Sequence, residues 1–292
     1  MINNVVFSGG GIKGLIFIGC LKYLEEKNLL NNLKALSGTS IGGVFCFLLN
    51  IGYKSYELSE IFTKIDFNNL HNISFKSITE KYGLDNGEKF IDFLKLLMKE
   101  KNINKDITFL ELYELTNKKL ILTGTNISKQ KIEYFNYNDT PNMNVLLAIR
   151  ITISVPILYD YIEYNNCLYV DGGILDDYPI HYFKHEIENT VGFLIFNYNK
   201  SIKIESFDGY LYSFLFCLLK KVNKIKKEVY VNSTVLLEQN KIGLLDLDIC
   251  LDDKKELINL GYKNTEKYFK NKKKLKIKTK QSDNILLDLI NN

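Results

Sequence analysis

Leu33-Lys34-Ala35-Leu36-Ser37-Gly38-Thr39-Ser40-Ile41-Gly42-Gly43 passes from a short apolar run through Gly-x-Ser-x-Gly into an apolar, helix-compatible segment at residues 44–49. A serine on a sharp strand-to-helix turn has a strained backbone, and the chain passes close to itself two residues to either side, where a Cβ would collide. Gly38 and Gly42 meet that requirement. The geometry lifts the Ser40 hydroxyl above a sheet edge and aims a helix N-terminus, with its free N–H groups, at negative charge forming beside it. Ser40 is therefore the candidate nucleophile. The plainer reading, a glycine-rich loop with a capping serine, leaves a second glycine cluster at residues 9–14 unexplained.

Upstream, residues 4–7 form a β-like run that ends in Ser8-Gly9-Gly10-Gly11-Ile12-Lys13-Gly14, and residues 15–26 place apolar side chains at helical spacing. With residues 33–36 as a second strand, the opening reads β-α-β-α with two glycine turns. Parallel strands bring both turns to one sheet edge, where ligands of open α/β sheets bind.

Downstream, residues 53–114 are mainly helical in pattern and are expected to cover one face of the sheet. Residues 120–125 and 131–135 alternate like paired strands, and 145–154 reads as a short helix stopped by Pro156. Residues 158–164 and 167–170 predict a hairpin around Asn165-Asn166 that runs straight into Asp171-Gly172-Gly173. An aspartate at a strand end, followed by two glycines, is placed for chemistry. Residues 191–196 and 244–250 read as further strands, 207–227 as a helix that grows basic, and 254–269 as a closing helix.

Apolar content of 46% and charged content of 25% over 292 residues are globular values and allow a full core. The five cysteines, Cys20, Cys46, Cys167, Cys217 and Cys250, are widely spaced and mostly within apolar runs, so they read as small core residues in a reducing compartment. With three histidines and no metal-ligand spacing, neither a disulfide framework nor a zinc site is expected. The start of the chain lacks a basic n-region, and no apolar run approaches the roughly 20 residues of a membrane span, so a cytoplasmic protein, soluble or peripheral at membranes, is expected.

The net charge of +4 conceals an asymmetry. The stretch that opens at Lys270 and closes at Lys280 holds seven lysines and no acid, and the rest of the chain is more acidic than basic. The domain is therefore drawn over residues 1–269, with a lysine-rich tail over 270–292. A lysine run is ordinarily solvated surface; here it also offers a peripheral contact to anionic lipid. Lysine supplies 37 of the 38 basic residues, and the single arginine is Arg150.

Taken in order, Gly9-Gly10-Gly11-Ile12-Lys13-Gly14, Gly38-Thr39-Ser40-Ile41-Gly42 and Asp171-Gly172-Gly173 resemble the signature of the patatin-like phospholipases. The resemblance covers about residues 4–200 and includes the stretch from Arg150 to Pro156. It implies a three-layer αβα fold with a central, largely parallel sheet, and a lipid acyl hydrolase of phospholipase A type that needs neither calcium nor a cofactor. It also implies a catalytic dyad of Ser40 as nucleophile and Asp171 as proton acceptor, with backbone N–H groups of Gly9, Gly10 and Gly11 as the oxyanion hole. Such donors are worth about 3 to 4 kcal/mol each. Two positions depart from the family's pattern: lysine stands at Lys13 where arginine is usual, and Ser8 precedes the glycines. Arg150 is expected to brace the loop of Asp171, since a planar fork holds two carbonyls where an ammonium holds one point. The implied partner is membrane phospholipid or another lipid ester, and no nucleic acid is expected.

Other readings compete. A histidine triad would need His181 or His185 to reach Ser40; His71 lies in a polar connection and reads as a surface residue. A nucleotide-binding module built on Gly9 to Gly14 lacks the acidic residue that the dinucleotide fingerprint places about twenty residues on. An inactive lipid-binding relative sits poorly with serine, aspartate and glycines all present. Within the fold, a lipid transacylase or a non-phospholipid esterase is the alternative.

Overall fold

The computed structural model describes residues 1–196, 225–239, 242 and 248–290. Its centre is an eight-stranded sheet. The strands are β1 (Asn4–Phe7), β2 (Ala35–Gly38), β4 (Lys119–Asn126), β5 (Lys131–Phe135), β7 (Ile162–Tyr164), β8 (Cys167–Asp171), β9 (Thr190–Phe196) and β10 (Thr234–Glu238). The order is β10-β9-β1-β2-β4-β8-β7, with β5 also paired to β4. The run from β10 to β4 is parallel, while β5, β7 and β8 pair antiparallel. Two further strands, β3 (Gly83–Asp85) and β6 (Ile157–Tyr159), pair with each other beside it.

Side chains alternate across the sheet with the period of two that a strand imposes. Val5, Phe7, Leu36, Leu120, Leu122, Val191 and Phe193 enter the larger core. Val6, Ala35, Ile121 and Leu194 face the opposite side, where Tyr178, Ile180 and Phe183 cover them. Helices α1 (Ile16–Glu26), α2 (Ile41–Asn50), α3 (Ser55–Lys64), α4 (Phe75–Lys81), α5 (Glu88–Glu100), α6 (Phe109–Thr116), α7 (Val145–Thr152) and the short α8 (Gly173–Asp176) flank the sheet. Nine of the ten α2 residues are buried, which is why this stretch is apolar all round and not striped. Helix α1 meets the C-terminal helix Leu251–Ile290 backbone to backbone: a Cβ on Gly19 would lie 1.7 Å from Ile258 O, and one on Gly261 would lie 1.9 Å from Ile16 O.

Most expected elements are found within one or two residues. The second strand begins at Ala35, not Leu33, because Asn4 pairs with Ala35 and fixes the start of the ladder. The 158–164 stretch splits into β6 and β7, and the expected hairpin turns at Asn165 and Asn166, whose φ values of 48° and 56° suit asparagine. The closing helix continues without a break from Leu251 to Ile290, through the expected boundary at residue 270. Most of the expected helix 207–227 and of the strand 244–250 lies outside the described residues, as does Cys217. Cys20, Cys46 and Cys167 are buried as expected, but Cys250 is exposed. Among the described residues, no helix is long and apolar enough to cross a membrane.

Candidate active site

In β1, β2 and β4, Phe7, Gly38 and Leu122 stand abreast, so the turns after β1 and β2 leave the sheet at one edge. Strand β8 runs against this direction and brings Asp171 back to the edge, opposite Gly124. Residues more than a hundred positions apart thus meet at one place.

Ser40 caps α2 with φ 54° and ψ −131°, a conformation disfavoured for any residue with a Cβ. Close backbone contact holds it there. A Cβ on Gly38 would stand 2.5 Å from Gly42 and Gly43 backbone atoms, and one on Gly42 would stand 2.4 Å from Ser8 O. The two glycines flanking the serine are therefore required by the crossing of the chain, as the sequence pattern predicts. Gly14 touches the same turn, since its Cβ would lie 2.6 Å from Ile41 Cγ1.

Asp171 is buried at 4% exposure. Its Oδ1 accepts the Gly173 N–H at 2.6 Å, while Oδ2 has no partner of good hydrogen-bond geometry. Burial pushes the carboxyl up to about 7, against the Gly173 N–H and the Ser40 hydroxyl, which favour the charged form; the neighbouring Asp177 carboxyl adds to the rise. The Ser40 hydroxyl is thus near enough to be felt by the carboxyl, yet the contact is loose. Such contacts tighten on substrate binding. Gly172 is required by close packing, because a Cβ there would lie 2.1 Å from Thr123 Oγ1 and 2.8 Å from the Thr123 carbonyl carbon. Gly173 faces the same carboxyl, its Cβ position lying 2.9 Å from Asp171 Oδ1.

The glycine turn differs from expectation at one residue. The Gly9 N–H donates to Asp177 O at 3.0 Å, which removes it as a free donor. Asp177 Oδ1 fills the space beside Gly9, 2.2 Å from where a Cβ would stand, so a larger residue there would displace the Asp177 carboxylate. Among the described residues, no acceptor takes the N–H of Gly10, Gly11 or Ile41. Ile41, first residue of α2, follows Ser40 directly and is a donor the sequence reading did not name. Ser8 ties this turn to β9: its hydroxyl donates to Gly9 O at 2.9 Å and accepts the Ile195 N–H at 3.0 Å. Lys13 is buried, at 3% exposure.

Arg150, on α7, is buried. Its Nε donates to Asn86 O at 2.9 Å, Nη1 to Ser154 Oγ at 2.6 Å and Nη2 to Asp160 O at 3.3 Å, and its guanidinium lies over the Tyr159 ring. Ser154 O in turn accepts the Asp171 N–H at 2.7 Å. Burial lowers the guanidinium's pKa, and Tyr159, Asp160 and Asp85 oppose this. The fork holds two carbonyls at once, which an ammonium could not.

His71 and His181 are engaged elsewhere. His181 Nε2 lies 3.0 Å from Tyr134 OH and 3.7 Å from Asp176 Oδ2, and burial lowers its pKa. Asp176 is itself buried and pairs with Lys226. His185 is exposed. His71, expected at the surface, is packed against buried Asp85, with Nδ1 2.8 Å from Oδ2. Asp85 pairs with this ring and also accepts the N–H groups of Asn72 and Gly87, which outweigh its burial and hold its carboxyl below the ordinary range. Among the described residues, no cluster of His, Cys, Asp and Glu has the arrangement of a metal site.

A profile of the patatin-like phospholipases matches residues 5–184. The chain belongs to the patatin-like phospholipase family. As a member it is a lipid hydrolase. Protein R571 of Acanthamoeba polyphaga mimivirus is 28% identical over 279 residues, which span 91% of this chain and 93% of that one. The probable lipid hydrolase 463L of Invertebrate iridescent virus 6 is 35% identical over 182 residues, 61% of each chain. Among solved structures, VipD from Legionella pneumophila shares the fold, with a TM-score of 0.55 and 15% identity over 92% of this chain and 67% of that one. The patatin-like fold expected from the three motifs is therefore the fold observed.

Proposed function

We propose that this patatin-like protein is a serine acyl hydrolase of phospholipase A type working through a Ser40–Asp171 dyad. The observation that carries the reading is the pairing of a backbone-strained serine, φ 54°, with a buried carboxyl whose Oδ2 has no partner of good geometry. Ser40 Oγ attacks the ester carbonyl carbon and its proton passes to Asp171. The oxyanion is held by the N–H groups of Gly10, Gly11 and Ile41. On collapse the C–O bond to the lysophospholipid breaks, and the departing oxygen takes the proton from Asp171. Water then attacks the acyl-Ser40 ester, Asp171 accepts its proton, and Ser40 Oγ leaves reprotonated, releasing a fatty acid.

A base must be ionised, and Asp171 is held up to about 7. The kcat/KM of a monomeric ester should therefore rise through pH 7 and level off above it. The test of the reading is incubation with mixed phospholipids, with and without glycerol, and identification of the products. Free fatty acid and lysophospholipid are expected; acyl transfer to glycerol as the main product would make the protein a transacylase, and no acyl product would refute both.

A further inference from the structure

Three buried threonines from separate parts of the chain surround the site. Thr39 precedes the candidate nucleophile, Thr123 is in β4, and Thr152 ends α7. Each is 0% exposed. Their hydroxyls are in contact. The Ser40 N–H donates to Thr152 Oγ1 at 3.0 Å, Thr152 Oγ1 and Thr123 Oγ1 are 3.4 Å apart, Thr123 Oγ1 donates to Thr39 Oγ1 at 2.8 Å, and Thr39 Oγ1 donates to Asp176 O at 2.8 Å.

A hydroxyl has one proton to give, and this fixes the sense of the chain. Thr39 gives its proton to the Asp176 carbonyl, so it accepts from Thr123. Thr123 has then used its own, so it accepts from Thr152. Hydroxyls aligned head to tail in a dry interior polarise and strengthen one another. The chain begins at the backbone N–H of Ser40 and ends at the carbonyl of Asp176, the last residue of the helix that follows Asp171-Gly172-Gly173. Thr123 also touches the second loop directly, since its Oγ1 fills the space beside Gly172. Valine would fill these three sites equally well and without polar atoms to satisfy, so packing alone gives no reason for the hydroxyls.

We infer that Thr123 is a positioning residue that sets the register of Ser40 against Asp171, acting through Thr152 on the Ser40 backbone and through Thr39 on the Asp171 loop. The inference rests on the reading of Ser40 and Asp171 as nucleophile and base. The loose contact between them makes register decisive, because a misplacement of about 1 Å can lower a rate on the order of a hundredfold.

The test uses the full chain with Thr123→Val, which removes the hydroxyl and keeps the shape, and Thr123→Ser, which keeps the hydroxyl. Hydrolysis of a monomeric p-nitrophenyl ester, labelling of Ser40 by a fluorophosphonate, and melting temperature are measured for each. Thr123→Val should lower kcat and the labelling rate by about tenfold or more with KM little changed, and Thr123→Ser should restore most of the loss. Thr152→Val, which removes the adjoining hydroxyl, should repeat the kcat effect and keeps the test open if Thr123→Val does not fold. Wild-type turnover in a folded valine variant, or a serine variant no better than the valine one at equal melting temperature, overturns the inference. If Ser40→Ala hydrolyses the ester as fast as wild type, the reading of the site has failed and the inference falls with it.

Discussion

The Ser40 turn and the Asp171 loop meet at one sheet edge but are held there by opposite means. Around Ser40 the tightest contacts are backbone against backbone, made possible by Gly38 and Gly42, and the Thr152 hydroxyl adds a hydrogen bond to the Ser40 N–H. Around Asp171 they depend on side chains of distant elements: Arg150 holds Ser154, whose backbone carbonyl accepts the Asp171 N–H, and Thr123 and Thr39 reach Gly172 and Asp176. Steric contacts of the first kind are all or none, because a backbone carbonyl cannot rotate away from an added Cβ. Hydrogen bonds of the second kind degrade by degrees. The first loop should therefore fail as a fold and the second as a catalyst.

The largest effects should come from the proposed nucleophile and base, where the two regions must agree. Ser40→Ala and Asp171→Asn should each cut kcat on the order of a thousandfold or more while the protein stays folded, read by ester hydrolysis and circular dichroism. Full activity in Asp171→Asn together with loss in His181→Ala would transfer the base to the histidine. The Asp171 substitution carries a second signature. Its carboxyl is raised from an ordinary 3.8 to about 7, so the fold binds this proton more tightly than the unfolded chain does, and stability is lost as pH rises through that interval. Asp171→Asn should melt higher than wild type at pH 8, and the gain should vanish near pH 4.

Next in size is Gly42→Ala, which drives a Cβ to 2.4 Å from Ser8 O and 2.6 Å from Phe7 O. A loss of about 4 kcal/mol or more in denaturant unfolding, or no soluble protein, is expected. A variant that stayed stable and lost only turnover would break the contrast between the two loops.

Arg150→Lys should act in the opposite manner. An ammonium cannot hold Asn86 O and Asp160 O together, so kcat should fall about tenfold and the melting temperature by a few degrees, with the apparent affinity for lipid little altered. Unchanged turnover and melting temperature would show that the single guanidinium does not brace the loop.

The smallest effect is expected of the lysine stretch. Its first members are already engaged on the helix, Lys270 with Glu266 and Lys272 with Tyr268. At about 1 kcal/mol per lysine near an anionic surface, the stretch should still favour vesicle binding at low salt. Deleting residues 270–292 should weaken binding to anionic vesicles and flatten its salt dependence, and unchanged binding would leave the stretch as solvated surface.

The same contrast explains what could be read from the sequence. The Ser40 turn was legible because its requirement is local: a glycine two residues to either side of a serine, after an apolar run. The hairpin at Asn165-Asn166 was legible for a similar reason. Arg150 stood out only because it is the single arginine among 38 basic residues. The threonines gave no signal, since a buried hydroxyl looks like any other threonine until the elements carrying it are brought together. The loss of Gly9 as a donor was equally hidden, because it depends on a carbonyl 168 positions away at Asp177. The partner of His71 was hidden for the same reason, Asp85 lying across a bend that spacing alone does not predict. Strand β10 was missed because its place is set by pairing with β9 and not by its own alternation.

The most direct measurement is an acid-quenched turnover of phospholipid by the whole protein, followed by mass spectrometry of the peptide containing Ser40. A fatty acyl group on Ser40 is expected during turnover, absent in Ser40→Ala. Steady hydrolysis with no adduct on Ser40, or an adduct on another residue, would contradict the dyad.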